Sequence, residues 1–224
     1  MTTMKKIFSM PALLLLTAVG ATAQTTYTVT VKGGTEKVKR VRAAMAAPRP
    51  QAEGHALTAS ALGEIVGSDG RAYAVADKDN LPTFVTAVAM IAYVGSETDH
   101  PTYKHGLAIA IADESGEMNW ILAKSACGRK AAFNDAAWLL PSQNQWKAMF
   151  RANGGNEESY TGLNTALATA GGDSSKFQEW VWYWSSTPSD EDFAWRVTLH
   201  DGGASWYIGS MMGNLFPVRA CLAF

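Results

Sequence analysis

Side chains able to do chemistry are sparse in this chain, and few sit at spacings that would let them act together. Asp99, His100 and His105 share one loop, but a His-x4-His spacing matches none of the common zinc patterns. Asp190-Glu191-Asp192 lacks the alternating oxygen ligands of a calcium loop and reads as a solvated turn. His200 and Asp201 form an acid/base pair on paper. Neighbours along a strand point to opposite faces, so the two side chains are not expected to meet. No Ser-His-Asp or Cys-His arrangement stands out, and no glycine-rich phosphate loop joins a strand to a helix. The expectation is a protein without catalytic activity, and no metal or cofactor is implied. Two cysteines remain, Cys127 and Cys221. In an exported chain an even count permits a disulfide; two buried free thiols are the alternative, because cysteine packs as a small hydrophobe.

What is left suits recognition. From Trp195 to His200 the side chains alternate, which sends Trp195, Val197 and Leu199 toward the core and Arg196, Thr198 and His200 to the other face. The stretch Ser205 to Leu215 is rich in aromatic and small residues, as adaptable binding surfaces are. It adds Ser205, Trp206, Tyr207, Ile208, Ser210, Asn214 and Leu215 to the candidate ligand-binding set. Trp206 and Tyr207 would supply rigid contact area. The competing reading has Trp206 and Ile208 filling the core, with Tyr207 and Gly209 outward.

The elements that must hold these residues follow from periodicity. Glu64 to Val66 and Ala72 to Val75 flank Ser68-Asp69-Gly70, a hairpin signal. Val85 to Val94 and Gly106 to Ala112 read as buried strands, the second alternating large with small. A helix is expected over Glu117 to Arg129, with Trp120, Ala123 and Cys127 on its core side. That spacing would let Cys127 reach a partner in the sheet. Ser142 and Gln145 form a capping box for a second helix, with Trp146, Met149 and Phe150 as its buried stripe and Asn153-Gly154-Gly155 as its stop. Tyr160, Leu163 and Leu167 suggest a third helix. From Trp180 onward, aromatic and β-branched runs broken by Ser, Asp and Gly clusters indicate consecutive antiparallel strands, ending on an apolar strand at Phe224. Strands, then helices, then strands give an α+β fold with one antiparallel sheet.

The N-terminus reads as an address. Lys5 and Lys6 precede an apolar run from Phe8 to Ala18, and Ala21-Thr22-Ala23 is a small-x-small cleavage site. The run is too short to span a bilayer. Residues 1–23 are therefore expected to be a signal peptide, 24–56 a flexible tether and 57–224 the ligand-binding domain. The mature chain is expected in the periplasm, at the cell surface or outside the cell, with no transmembrane segment. Without Lys5 and Lys6 the chain has 17 basic and 20 acidic residues, a net charge of −3. Six of those basic residues lie between Lys32 and Arg49, leaving 11 basic against 18 acidic from Leu57 onward. An acidic domain repels phosphate backbones, which argues against nucleic acid as its partner.

Several of these motifs resemble the bacterial C-type-lectin-like fold. Trp138-Leu-Leu-Pro-Ser-Gln-Asn-Gln-Trp146 is similar to the family's W-R-L-P-T-x-x-E-W/L segment. Tyr183-Trp-Ser-Ser-Thr187, Ala194-Trp195, Asp201-Gly202 and Val218-Arg219 with Ala223-Phe224 resemble its Y-W-S-S-T, A-W, D-G and V-R-x-V-x-A-F ending. The resemblance runs from about Leu57 to Phe224 and extends to exported bacteroidete surface proteins with Fibrobacter major paralogous-like domains. It is specific for fold and weak for function. The copper-binding cysteine pair of the distant formylglycine-generating enzymes has no counterpart here, and neither have the Glu-Pro-Asn and Trp-Asn-Asp motifs of calcium-dependent sugar lectins. The chain looks most like the variable ligand-binding proteins of diversity-generating retroelements and their non-diversified surface relatives. That likeness implies a non-catalytic, cell-surface or secreted protein binding an unidentified protein or glycan, or else an envelope assembly component docking a subunit through the same surface. Some relatives carry one cysteine in the first helix and one in the last strand, which implies a Cys127–Cys221 disulfide.

Overall fold

The hairpin signal at Ser68-Asp69-Gly70 is where the first sheet begins. In the computed structural model, which describes residues 50–224, β1 (Ile65–Gly67) and β2 (Ala72–Tyr73) pair antiparallel with Ile65 opposite Tyr73. The second strand is shorter than expected because the chain turns into a 3-10 helix at Val75–Asp77. The expected signal peptide and most of the expected tether lie outside the described residues. The compact unit starts at Pro50, ahead of the boundary expected at Leu57. Here the Ala52 N–H donates to the Asn80 carbonyl, and His55 and Ala72 exchange two backbone bonds of 2.9 Å.

β3 (Ala87–Val94), β4 (Gly106–Ala110), β5 (Ala137–Leu139) and β9 (Cys221–Ala223) complete a six-stranded antiparallel sheet in the order β2-β1-β3-β4-β9-β5. Every residue of β4 is buried, because both faces of the sheet are covered. Its large residues, Leu107 and Ile109, pack with helices α2 (Gln143–Ala152) and α3 (Thr161–Gly171). Its small ones, Ala108 and Ala110, pack on the side of helix α1 (Trp120–Gly128). The large/small alternation of the sequence thus matches a different helix layer on each face.

The helices follow their sequence signals closely. Asn119 caps α1, its side chain accepting from the Leu122 N–H, so the helix begins three residues later than expected. The preceding residue, Met118, is bridged to Phe216 instead. Trp120, Ala123 and Cys127 are its buried residues. The Ser142/Gln145 capping box forms in both directions, and Trp146, Met149 and Phe150 are fully buried. Tyr160, Leu163 and Leu167 line the inner side of α3.

Two expectations are corrected. The first is the single sheet. β6 (Trp182–Pro188), β7 (Phe193–His200) and β8 (Gly203–Ser210) form a separate three-stranded antiparallel sheet. The last strand, β9, leaves that meander and inserts between β4 and β5, where both of its edges find hydrogen-bonding partners. The second is the disulfide: Cys127 and Cys221 are buried free thiols. Successive residues of β9 face opposite ways. Leu222 packs on the α1 side with Cys127, whereas Cys221 packs with Ile109 on the other.

A buried polar junction ties the two sheets together. Arg219, at 2% exposure, donates through Nε to Asp113 Oδ1 at 2.5 Å and through Nη1 to the carbonyls of Ala110 and Ser175. Asp113 Oδ2 accepts from the hydroxyl of Tyr183 in β6 at 3.1 Å. One ion pair therefore links the approach to β9, the end of β4 and the first strand of the small sheet.

Candidate ligand-binding face

The register of the small sheet decides which candidate residues share a surface. Arg196 lies between Trp184 and Tyr207, and Thr198 between Trp182 and Ser205. His200 lies opposite Gly203, and the Trp180 N–H donates to the Leu199 carbonyl, extending β6 by one more contact. Alternation then places Trp182, Trp184, Arg196, Thr198, His200, Ser205 and Tyr207 on one face.

On that face the aromatic rings are in contact. Trp182 and Tyr207 approach from either side of β7 and meet edge to face, with ring centroids 5.0 Å apart. They roof the middle strand, which is why Thr198 is buried at 7% exposure and not open as expected. Arg196 lies against Trp182, its guanidinium carbon 4.1 Å from that ring's centroid, and 4.8 Å from that of Phe216. Its Nε is buried without a hydrogen-bond partner, and no carboxylate among the described residues pairs with it. Burial lowers its affinity for its proton. Gly209 fits here because a Cβ would stand 3.1 Å from Trp184 and 3.3 Å from Arg196. At the other end, His200 stacks on Trp180 at 4.9 Å and its Nε2 is 2.9 Å from Ser205 Oγ. Trp180 is 65% exposed and Tyr207 55%.

The remaining candidates separate from this group. Trp206 and Ile208 fall on the opposite face. Trp206 packs partly against the α2/α3 core with Lys147 Nζ 5.9 Å from its ring, and Ile208 is exposed. The competing sequence reading is mixed in both halves: Trp206 turns inward but Ile208 does not, and Tyr207 is outward but Gly209 is buried. Ser210 and Asn214 hold a turn, where the Ser210 N–H donates to Asn214 Oδ1 and the Gly213 N–H to Ser210 Oγ. Leu215 and Met212 are exposed beside it. The meander reading found the middle strand but missed Trp180, Trp182 and Phe216. The signal for the two tryptophans was present, since Trp180, Trp182 and Trp184 recur at every second position.

Elsewhere the reactive side chains are occupied locally. His200 contacts Ser205, not Asp201. His100 Nδ1 accepts from the N–H groups of Thr102 and Tyr103, and Asp99 Oδ2 accepts from Ser142 Oγ. Asp190 Oδ1 accepts from the N–H groups of Asp192 and Phe193, making the acidic triplet a turn. Among the described residues no three His, Cys, Asp or Glu side chains cluster to hold a metal. No helix among them is long and apolar enough to cross a membrane.

Comparison with protein families finds none that matches, and comparison with curated proteins finds none either. Among solved structures, a fimbrial protein from Bacteroides ovatus ATCC 8483 shares the fold over 74% of this chain, at 15% sequence identity and a TM-score of 0.52. The match covers 49% of that protein, so the chain spans about half its length.

Proposed function

We propose that this chain is an exported, non-catalytic surface protein that binds a ligand on the Trp180/Trp182/Arg196/His200/Tyr207 face of its small sheet. The observation that carries the reading is the exposure of aromatic rings on a face whose one arginine has a buried Nε without a hydrogen bond and no paired carboxylate among the described residues. Large exposed aromatics set around an unpaired cation are costly to leave in water, and such groups recur at recognition sites. The rings also stand on a rigid frame, since the sheet beneath them is joined to the core through Asp113, Tyr183 and Arg219. The lectin-like sequence motifs and the fimbrial fold neighbour support a place at the cell surface. Arg196, His200, Ser205 and Tyr207 are all residue types that retroelement diversification can produce, whereas Trp180 and Trp182 are not and would be the fixed frame. A near-copy of the 3′ coding end beside a reverse-transcriptase gene would support diversification; its absence would leave simple binding standing.

The assembly reading rests on different residues. Ile121, Leu122 and Met212 are exposed, and the Trp120 N–H donates to the Met211 carbonyl, which brings the start of α1 beside the Met211–Gly213 turn. An apolar patch of this kind suits subunit docking. Probing arrays of glycans and surface proteins with the exported chain tests the binding reading. A retained ligand that competes with tryptophan quenching of the face supports it. Self-association of the chain, with no array ligand, supports assembly instead.

A further inference from the structure

Resting on the ligand-binding reading above, we infer that the face takes an anionic saccharide, with the acid group on Arg196 and sugar rings over Tyr207 and toward Trp180. Charge sets Arg196 apart. From Leu57 onward acidic residues outnumber basic ones 18 to 11, yet Arg196 has no acidic partner among the described residues. Contact with Trp182 and Phe216 holds the guanidinium and its planar fork in place. Such a fork binds a carboxylate or sulfate through two parallel bonds. Partial burial strengthens that pairing, because water competes less for the charge.

The aromatic groups point to rings in place of an extended chain. A peptide strand would need free backbone donors and acceptors at a sheet edge. This surface is a sheet face and offers only side chains. Saccharides present an apolar C–H side to an aromatic plane and hydroxyls at their rim. Tyr207 and Trp180 are the exposed planes, and the His200/Ser205 pair, joined at 2.9 Å, supplies donors and acceptors between them. From Arg196 to His200 the middle strand rises about 14 Å, at ~3.4 Å per residue. That is room for roughly two or three sugar rings along the row.

The test titrates the full exported chain with 3′-sialyllactose, sulfated lactose and lactose, reading tryptophan fluorescence and heat. The two acidic probes distinguish a carboxylate from a sulfate. The expected result is binding of at least one acidic probe, with lactose weaker by tenfold or more. Arg196→Gln should remove that preference, a loss of roughly ten- to hundredfold for a charge-assisted pair. Arg196→Lys should recover only part of it, because the ammonium lacks the fork. Both variants should stay folded; Arg196→Gln loses the contacts with Trp182 and Phe216 and should melt a few degrees lower, while Arg196→Lys keeps the charge and melts closer to wild type. Equal binding of lactose and the acidic probes overturns the acidic assignment, and so does discrimination that survives Arg196→Gln. Binding of none of the three at millimolar concentration overturns it as well. If an uncharged glycan or a protein then binds and Tyr207→Ala abolishes it, ligand binding at the face stands and only the ligand class falls.

Discussion

Removing the carboxylate of Asp113 should strike the frame that holds the recognition face. Asp113 neutralises Arg219, which is 2% exposed, and also accepts from Tyr183 and from Gln178 Nε2. In Asp113→Ala the guanidinium keeps its bonds to the Ala110 and Ser175 carbonyls but loses its only counter-charge among the described residues. Leaving one member of a buried pair uncompensated costs about 3–5 kcal/mol. A domain of this kind has roughly 5–15 kcal/mol in all. At about 2–4 °C per kcal/mol for its size, melting should fall by roughly 6–20 °C. Thermal and urea unfolding followed by circular dichroism and tryptophan fluorescence measure it. Replacing both partners by apolar residues, Asp113→Leu with Arg219→Met, should cost less than the single change, because no charge is left buried. A single variant within about 1 kcal/mol of wild type, or a double variant as damaged as the single, would refute the claim that this pair joins the sheets.

Two further outcomes follow from the buried groups. Burial pushes the Cys127 thiol up to about 12 and Cys221 higher still. Native protein at pH 8 should therefore resist alkylation, and unfolded protein without reductant should label at both sites; one blocked disulfide in mass spectrometry would contradict the free thiols. Tyr73 and Tyr160 are raised to about 12 by burial and by hydrogen bonds to Asp69 and Glu179. Unfolding returns them to about 10, so the unfolded state releases protons first as pH rises. Their contribution is complete below pH ~10 and should be lost between about 10 and 12, seen as a falling urea midpoint. A midpoint that stays flat through this window would show that these hydroxyls are not held as the structure has them.

Much of the fold was legible because local chemistry decided it. The Ser142/Gln145 box, the Trp146/Met149/Phe150 stripe and the Ser68-Asp69-Gly70 hairpin each need only neighbours in sequence. The division into two sheets was not legible, because alternation tells a strand's faces but not its partners: nothing in Cys221–Ala223 says that β9 joins β4 and β5. The same limit undid the disulfide. Cys127 and Cys221 sit at suitable elements, but the face that Cys221 takes depends on the register of β9. In the candidate site, parity put Arg196, Thr198 and His200 on one face, and the register adds Ser205 and Tyr207 to it. Parity missed Thr198's burial, which comes from rings on the two flanking strands meeting over it, a contact between residues far apart in sequence. Trp180 and Trp182 were assigned to the meander and not to its surface, though their every-second-residue spacing with Trp184 marks a common face.

The most direct test of a recognition face on the small sheet is a comparison of two exposed pairs against whichever ligand the arrays retain. Trp180→Ala with Tyr207→Ala removes the outward rings, and Ile121→Ala with Leu122→Ala removes part of the apolar patch on α1. The α1 pair should melt near wild type; the first pair loses the Trp180–His200 and Trp182–Tyr207 ring contacts, at about 0.5–1.5 kcal/mol each, so it should melt several degrees lower and is titrated at a temperature where it remains folded. Calorimetric titration should show binding abolished in the first and kept in the second. Binding kept in the first and abolished in the second would move the site to α1 and contradict the account.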